Sequence, residues 1–274
     1  MLASVATNGL AQGRAQRLCV FGIGGARNAQ GGDDRAKSPK VPKGVLAYDA
    51  RERRLVPADD PLPGGVGGSP WPAFGVAFQR ASGVNLTFVQ CAGGGYQTAK
   101  LGSRTGARTH WDLGGSLVSL MFLTLDDALK FAKNAGYDAR LSGILWCQGE
   151  DEGSILHSVP NFITVEEYKT AFRNMVARFR AYYSPTLPFY IFRTGSPDPK
   201  GPAAPTEPGF ALIRNAQEDL AKTIPNVIIA SRLATQFAER GQLIANIIYN
   251  QEANNELGRD GALNVVASKL WNVW

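Results

Sequence analysis

The sequence predicts an α/β fold, a three-layer α/β/α sandwich around a five-stranded parallel sheet with the flavodoxin-like strand order 2-1-3-4-5. Three observations predict it. Short apolar runs bounded by Gly, Pro or polar residues recur along the chain, as strands covered on both faces require. Helical patterns separate those runs, so successive strands need crossovers and lie parallel. Right-handed crossovers then leave few topologies.

In chain order, Leu18 to Gly22 reads as the first buried strand. Pro72 to Ala81 follows as a helix with Ser69 as its N-cap, and Asn85 to Cys91 as the second strand. Ser116 to Ala135 carries apolar residues at helical spacing and leads to the third strand, Leu141 to Cys147. Thr164 and Glu167 have capping-box spacing, and Tyr168, Phe172, Met175, Val176 and Phe179 share one face of a helix to Tyr182. Pro188 to Arg193 and Val227 to Ala230 are the fourth and fifth strands, with helices over Phe210 to Ile224 and Asn254 to Trp271. The segment from Gln30 to Gly68 is rich in Pro and Gly without strong periodicity, and reads as a long irregular arm or functional rim. Pro197 to Pro208 is a second Pro-rich excursion. There is no internal repeat and no domain-splitting linker, so residues 1–274 read as a single domain.

The composition sets limits on function. With 44% hydrophobic residues in 274, one sizeable core is affordable, and no apolar run reaches membrane-spanning length. The net charge of +6 comes from scattered Arg and Lys rather than a basic stripe with interleaved aromatics, which argues against a nucleic-acid partner. The three cysteines, Cys19, Cys91 and Cys147, lie in or at the end of apolar runs and read as small buried thiols. No His-rich or Cys-rich cluster calls for a metal, and no cofactor is expected. Met1 to Arg17 does not have the order of a signal peptide, because Arg14 and Arg17 follow the weakly apolar stretch. The expected location is therefore a cytoplasmic assembly or a virion.

In the predicted strand order, the loops after the first and third strands face each other at a switch point, where ligands bind. These loops are Gly24 to Asn28 and Gln148 to Gly153. The first reads Gly24-Gly25-Ala26-Arg27-Asn28-Ala29-Gln30-Gly31, and the second belongs to Leu145-Trp146-Cys147-Gln148-Gly149-Glu150. Three further blocks are Gly67-Gly68-Ser69-Pro70-Trp71, Cys91-Ala92-Gly93-Gly94-Gly95, and Ile247-Ile248-Tyr249-Asn250-Gln251-Glu252.

Together, and in this order, the five blocks resemble those of SGNH hydrolases, in the branch of sialate O-acetylesterases and acetylxylan esterases. The resemblance covers roughly residues 18 to 270. It implies a Gly-Gln-Ser-Asn elbow after the first strand, a Trp-x-Gln-Gly-Glu block after the third, and an Asp-x-x-His-Tyr tail. Asn28, Gly68, Gln148 and Glu150 match the supporting residues. The reacting positions depart from the pattern: Arg27 stands where the serine belongs, Ala245 where the aspartate belongs and Ile248 where the histidine belongs. A guanidinium is permanently protonated and an isoleucine accepts no proton, so the covalent route is lost.

The resemblance thus implies a catalytically inactive esterase-like domain that serves as a carbohydrate-binding or structural module. In an open cleft, Arg27, Asn28, Gly68, Gln148 and Glu150 grip a polar sugar, neutral or acidic. If Arg27 fills the cleft, the domain works through its surface with protein neighbours, as in bacteriophage virion decorations. The acidic run Glu150-Asp151-Glu152 is read as placing Glu150 in an ion pair with Arg27, against the rival of a water-activating carboxylate pair. The alternative is an active O-acetylesterase with a relocated set, such as His157 with Glu150; His157 otherwise reads as a surface loop histidine.

Overall fold

A computed structural model describes residues 15–32, 35–93, 97–102 and 109–274, the side chains of 101 and 102 excepted. The block glycines Gly94 and Gly95 lie outside the described residues. The chain runs β1 (Gln16–Gly25), α1 (Arg27–Gln30), β2 (Val45–Asp49), β3 (Arg54–Pro57), α2 (Trp71–Ser82), β4 (Asn85–Gln90), α3 (Ala99–Gly102) and α4 (Ser116–Asn134). It continues through β5 (Tyr137–Cys147), α5 (Glu150–Ser158), α6 (Val165–Tyr182), β6 (Phe189–Phe192), α7 (Glu207–Thr223), β7 (Val227–Ser231), β8 (Leu243–Ala245), β9 (Ile248–Tyr249) and α8 (Gln251–Ser268).

The main sheet has the order β3-β2-β4-β1-β5-β6-β7. Its last five strands are the five expected from apolar runs, in the expected 2-1-3-4-5 order, and every pairing among them is parallel. Side-chain alternation along β1 sorts the two helical layers. Leu18 and Val20 join the core with Met121, Trp146 and Phe172, and Cys19, Phe21 and Ile23 join the core with Trp71, Phe74 and Leu257. Both faces are covered, so every residue from Leu18 to Ala26 is buried.

The arm from Gln30 to Gly68 is not irregular throughout. It contributes β2, parallel to β4 through Val45↔Leu86 to Ala47↔Phe88, and β3, antiparallel to β2. The sheet is therefore seven-stranded with one antiparallel edge. Asp49 Oδ1 shapes the β2–β3 turn by accepting from the backbone N–H groups of Arg51 (3.0 Å) and Glu52 (3.2 Å), and Arg53 takes a left-handed φ of 47°. Tyr48 and Arg53 both donate to Asp127, tying the hairpin to α4. β3 carries charge at Arg54 and ends in Pro57, which suits an edge strand and conceals it in the sequence.

Helix ends follow local chemistry. Thr164 and Glu167 form a complete capping box, with Thr164 Oγ1 accepting from Glu167 N at 3.1 Å and Glu167 Oε2 accepting from Thr164 N at 2.7 Å. Replacing Thr164 with Ala is expected to cost about 1 kcal/mol in urea denaturation; a loss within error would show that tertiary packing alone fixes this helix start. Ser69 is not the N-cap of α2. That position falls to Pro70, while Ser69 Oγ donates to the half-buried carboxylate of Asp60 at 2.6 Å. α8 begins three residues earlier than the sequence pattern indicated, because Asn250 Oδ1 caps Ala253 N at 2.9 Å.

Candidate functional site

The site lies where β1 and β5, adjacent and parallel, end together. Ala26 N donates to Cys147 O at 2.9 Å across the two strand ends. A Cβ on Gly25, whose φ is 131°, would lie 1.9 Å from that same carbonyl oxygen, so only glycine permits this approach. The chain then turns into the short α1, which Arg27 begins.

Arg27 and Asn28 point to different environments. Arg27 is exposed, and Asn28 is 4% exposed. Asn28 Nδ2 donates to Glu150 Oε1 and to Ile247 O, both at 2.9 Å, and its Oδ1 accepts from Tyr249 N at 3.4 Å. One amide thus joins the β1 loop, the start of α5 and the tail block. The tail is a hairpin in which Ala245 opposes Ile248. Ile248 is half-buried against the elbow: a Cβ on Gly32 would lie 3.1 Å from its Cγ2. Ala245 is exposed on the outer strand. Gly68 is buried, and its carbonyl accepts from Gly32 N at 2.8 Å and Asn254 Nδ2 at 3.4 Å. Asp60 fixes this segment from behind, accepting from Ser69 N at 2.9 Å and Ser38 Oγ at 2.7 Å.

The expected Arg27–Glu150 ion pair is not formed. Glu150 is 4% exposed, takes Asn28 as its side-chain partner and leaves Oε2 without one. Burial raises its pKa, against the lowering effect of the Asn28 hydrogen bond. A neutral amide satisfies the carboxyl without taking a guanidinium out of water, which would cost several kcal/mol before any attraction was gained.

The segment Gln148 to Gly153, expected as a loop, is mostly the first turn of α5, with Gly149 at the N-cap. A glycine followed by three acidic residues is a helix-start signal, since carboxylates favour the positive end of the helix dipole. Gln148 is fully buried; its carbonyl accepts from Gln217 Nε2 at 2.8 Å and Thr194 Oγ1 at 3.1 Å. Its side-chain Nε2 donates to Glu152, while Oε1 has no partner. Glu152, also fully buried, accepts from Gln97 N at 2.7 Å. Burial, with the nearby Asp151 charge, pushes the Glu152 pKa up to about 7. Sequence reading named Glu152 only as part of the acidic run, and missed Gln97, Gln217 and Asp60.

Of the five residues expected to line a ligand cleft, Arg27 alone is exposed, and the other four form the buried frame beneath it. His157 is exposed in the last turn of α5, seven residues beyond Glu150 or about 10 Å along the axis. That separation keeps it from acting as a base on Glu150. His110 is nearly buried, and burial lowers its pKa. The three thiols are buried and unpaired, as the sequence indicated; burial pushes Cys19 and Cys91 up to about 12 and raises Cys147 as well, so none is a thiolate nucleophile at neutral pH. Among the described residues, no group of three or more His, Cys, Asp or Glu is placed to hold a metal ion, and no helix is long and apolar enough to cross a membrane.

Residues 22–264 match the family described as carbohydrate esterase, sialic acid-specific acetylesterase. No curated protein matches the chain. Among solved structures, the chain is similar to a protein from Arabidopsis thaliana, with 21% identity over 92% of this chain and 98% of that one and a TM-score of 0.64. It is similar to NanS at 11% identity, over 93% and 98% of the two chains, with a TM-score of 0.61. A carbohydrate acetylesterase from Xanthomonas citri aligns at 18% identity and a TM-score of 0.54, over 93% of this chain but only 56% of that longer one. These likenesses show a shared SGNH-like hydrolase fold, and the family match spans most of the sequence: the chain belongs to the sialic acid-specific acetylesterase family of carbohydrate esterases.

Proposed function

We propose that this chain is a non-catalytic member of its family that binds a glycan without deacylating it. The observation that carries the reading is an exposed arginine, Arg27, beginning α1 at the elbow where the family resemblance calls for a serine hydroxyl. Ala245 and Ile248 occupy the positions of the aspartate and histidine, and neither side chain moves a proton. Asn28, Gly68, Gln148 and Glu150 keep the frame rigid, and Arg27 makes the contact. Its planar fork favours a carboxylate or vicinal oxygens, so the ligand class is a polar sugar with acidic substituents. The rival set of His157 with Glu150 finds no support in their spacing along α5.

Two measurements test this together. Turnover of p-nitrophenyl acetate and of an acetylated sugar is expected at the buffer level. Turnover well above buffer that survives dialysis against chelators would overturn the reading. On a glycan array, an acidic sugar is expected to be retained by the parent and lost by about tenfold or more in Arg27→Ala, equivalent to about 1.4 kcal/mol. Retention of no glycan would instead favour a structural subunit acting through protein neighbours, in a cytoplasmic or virion assembly.

A further inference from the structure

The edge strands that sequence reading missed create a second concavity beside the elbow. A groove of about 450 Å³ is lined by Tyr48, Asp49, Arg51, Glu52, Gly64, Gln90, Cys91, Leu120 and Thr124. Its place follows from the topology. β1, β2 and β4 are mutually parallel, so their last residues, Gly25, Asp49 and Gln90, lie along one edge of the sheet. That is the edge at which open α/β sheets bind ligands.

Gln90 is the wall shared by elbow and groove. Its Nε2 donates to Ala29 O in α1 at 2.9 Å, and its Oε1 accepts from Ala92 N at 3.0 Å. Gly64, whose φ of 86° favours glycine, lies beside Gln90 across the groove. Its lining combines apolar surface from Cys91 and the 52%-exposed Leu120 of α4 with the polar side chains of Asp49, Arg51, Glu52 and Thr124, which stand as its rim. Apolar surface beside donors and acceptors matches a pyranose, whose CH face is apolar and whose hydroxyls point outward. The volume lies within the range of small-molecule sites.

We propose that this groove is a second sugar subsite, and that the ligand is an oligosaccharide crossing from Arg27 over the Gln90 wall onto the β2–β3 hairpin. The inference rests on the glycan-binding reading and adds the class of ligand, a chain rather than a single sugar. It also gives the hairpin a role: Asp127, by holding Tyr48 and Arg53, fixes the rim against α4.

The test is calorimetric titration with N-acetylneuraminic acid and its α2,8-linked tetramer, and with xylose and xylotetraose. The probed variants are Leu120→Arg, which fills the groove, and Arg51→Ala/Glu52→Ala, which strips its rim. All three positions are exposed, so folding is expected to survive. The expected result is a tetramer bound about tenfold or more tighter than its monomer, with both variants abolishing the difference and leaving monomer affinity unchanged. Equal affinity of tetramer and monomer, or a preference that persists in both variants, overturns the subsite while the glycan-binding reading stands. No binding of any of the four sugars sinks both. A groove-dependent preference that Arg27→Ala does not weaken overturns the continuous path from the elbow.

Discussion

Glutamine in place of Glu152 is expected to stabilise the protein by about 3 kcal/mol near pH 8 and by almost nothing near pH 4. The carboxyl is fully buried, and desolvation is the main cause of a pKa raised from 4.5 to about 7. A carboxyl that binds its proton more tightly when folded lowers stability as pH rises: the native state holds the proton through a range in which the unfolded state has released it. The loss begins near pH 4.5 and is complete above about 7, and it amounts to about 3 kcal/mol. Glu150 and Asp151, whose pKa values are also raised by burial, contribute in the same direction. Glutamine mimics the neutral acid. Its carbonyl accepts from Gln97 N, and its amide donates to Gln148 Oε1, which has no partner, after the Gln148 amide turns over. Urea midpoints of parent and Glu152→Gln, compared from about pH 4 to pH 8, should diverge steadily. Parallel curves would show that Glu152 titrates as an exposed carboxyl, and that the buried frame admits water.

The parts of this molecule legible in the sequence are those governed by burial periodicity. The five central strands carry uninterrupted apolar runs because both faces are covered, and their order follows from crossover handedness. β2 and β3 escaped because β2 is short and β3 is partly exposed, begins at a charge and ends in a proline. The site was legible as a set of loops but not as a set of contacts. Arg27 and Asn28 are adjacent in the sequence, yet consecutive residues on a helix diverge by about 100° around its axis. One of them had to face Glu150, and pairing opposite charges selected the wrong one. Solvation decided the outcome: the Asn28 amide is buried against Glu150, and Arg27 is exposed. Gln97, Gln217 and Thr194 carried no sequence signal, because polar residues scattered over the chain become a network only once the fold brings them to one strand end.

The triple variant Arg27→Ser, Ala245→Asp, Ile248→His is expected to hydrolyse p-nitrophenyl acetate at least about 10²-fold faster than the parent, the low end of what a positioned general base contributes. Each single and double variant is expected to stay at the parent's level, because nucleophile, base and orienting carboxylate act as a unit. The geometry supports the attempt on three counts. Asn28 holds both neighbours of residue 248, accepting from Tyr249 N and donating to Ile247 O, so a side chain at 248 is directed towards the elbow near Gly32. Residues 245 and 248 are partners across the β8–β9 hairpin, and cross-strand Cβ atoms lie about 5 Å apart, close enough for an aspartate to orient an imidazole. The introduced serine lies at the start of α1, where backbone N–H groups are available to a developing oxyanion. The cost falls on packing, since histidine gives up part of the half-buried contact of Ile248, and a thermal melt checks that the variant stays folded. If a folded triple variant shows no turnover above the parent, then Arg27, Ala245 and Ile248 do not mark a vanished triad, and the exposed arginine must be explained without an esterase ancestor at that spot.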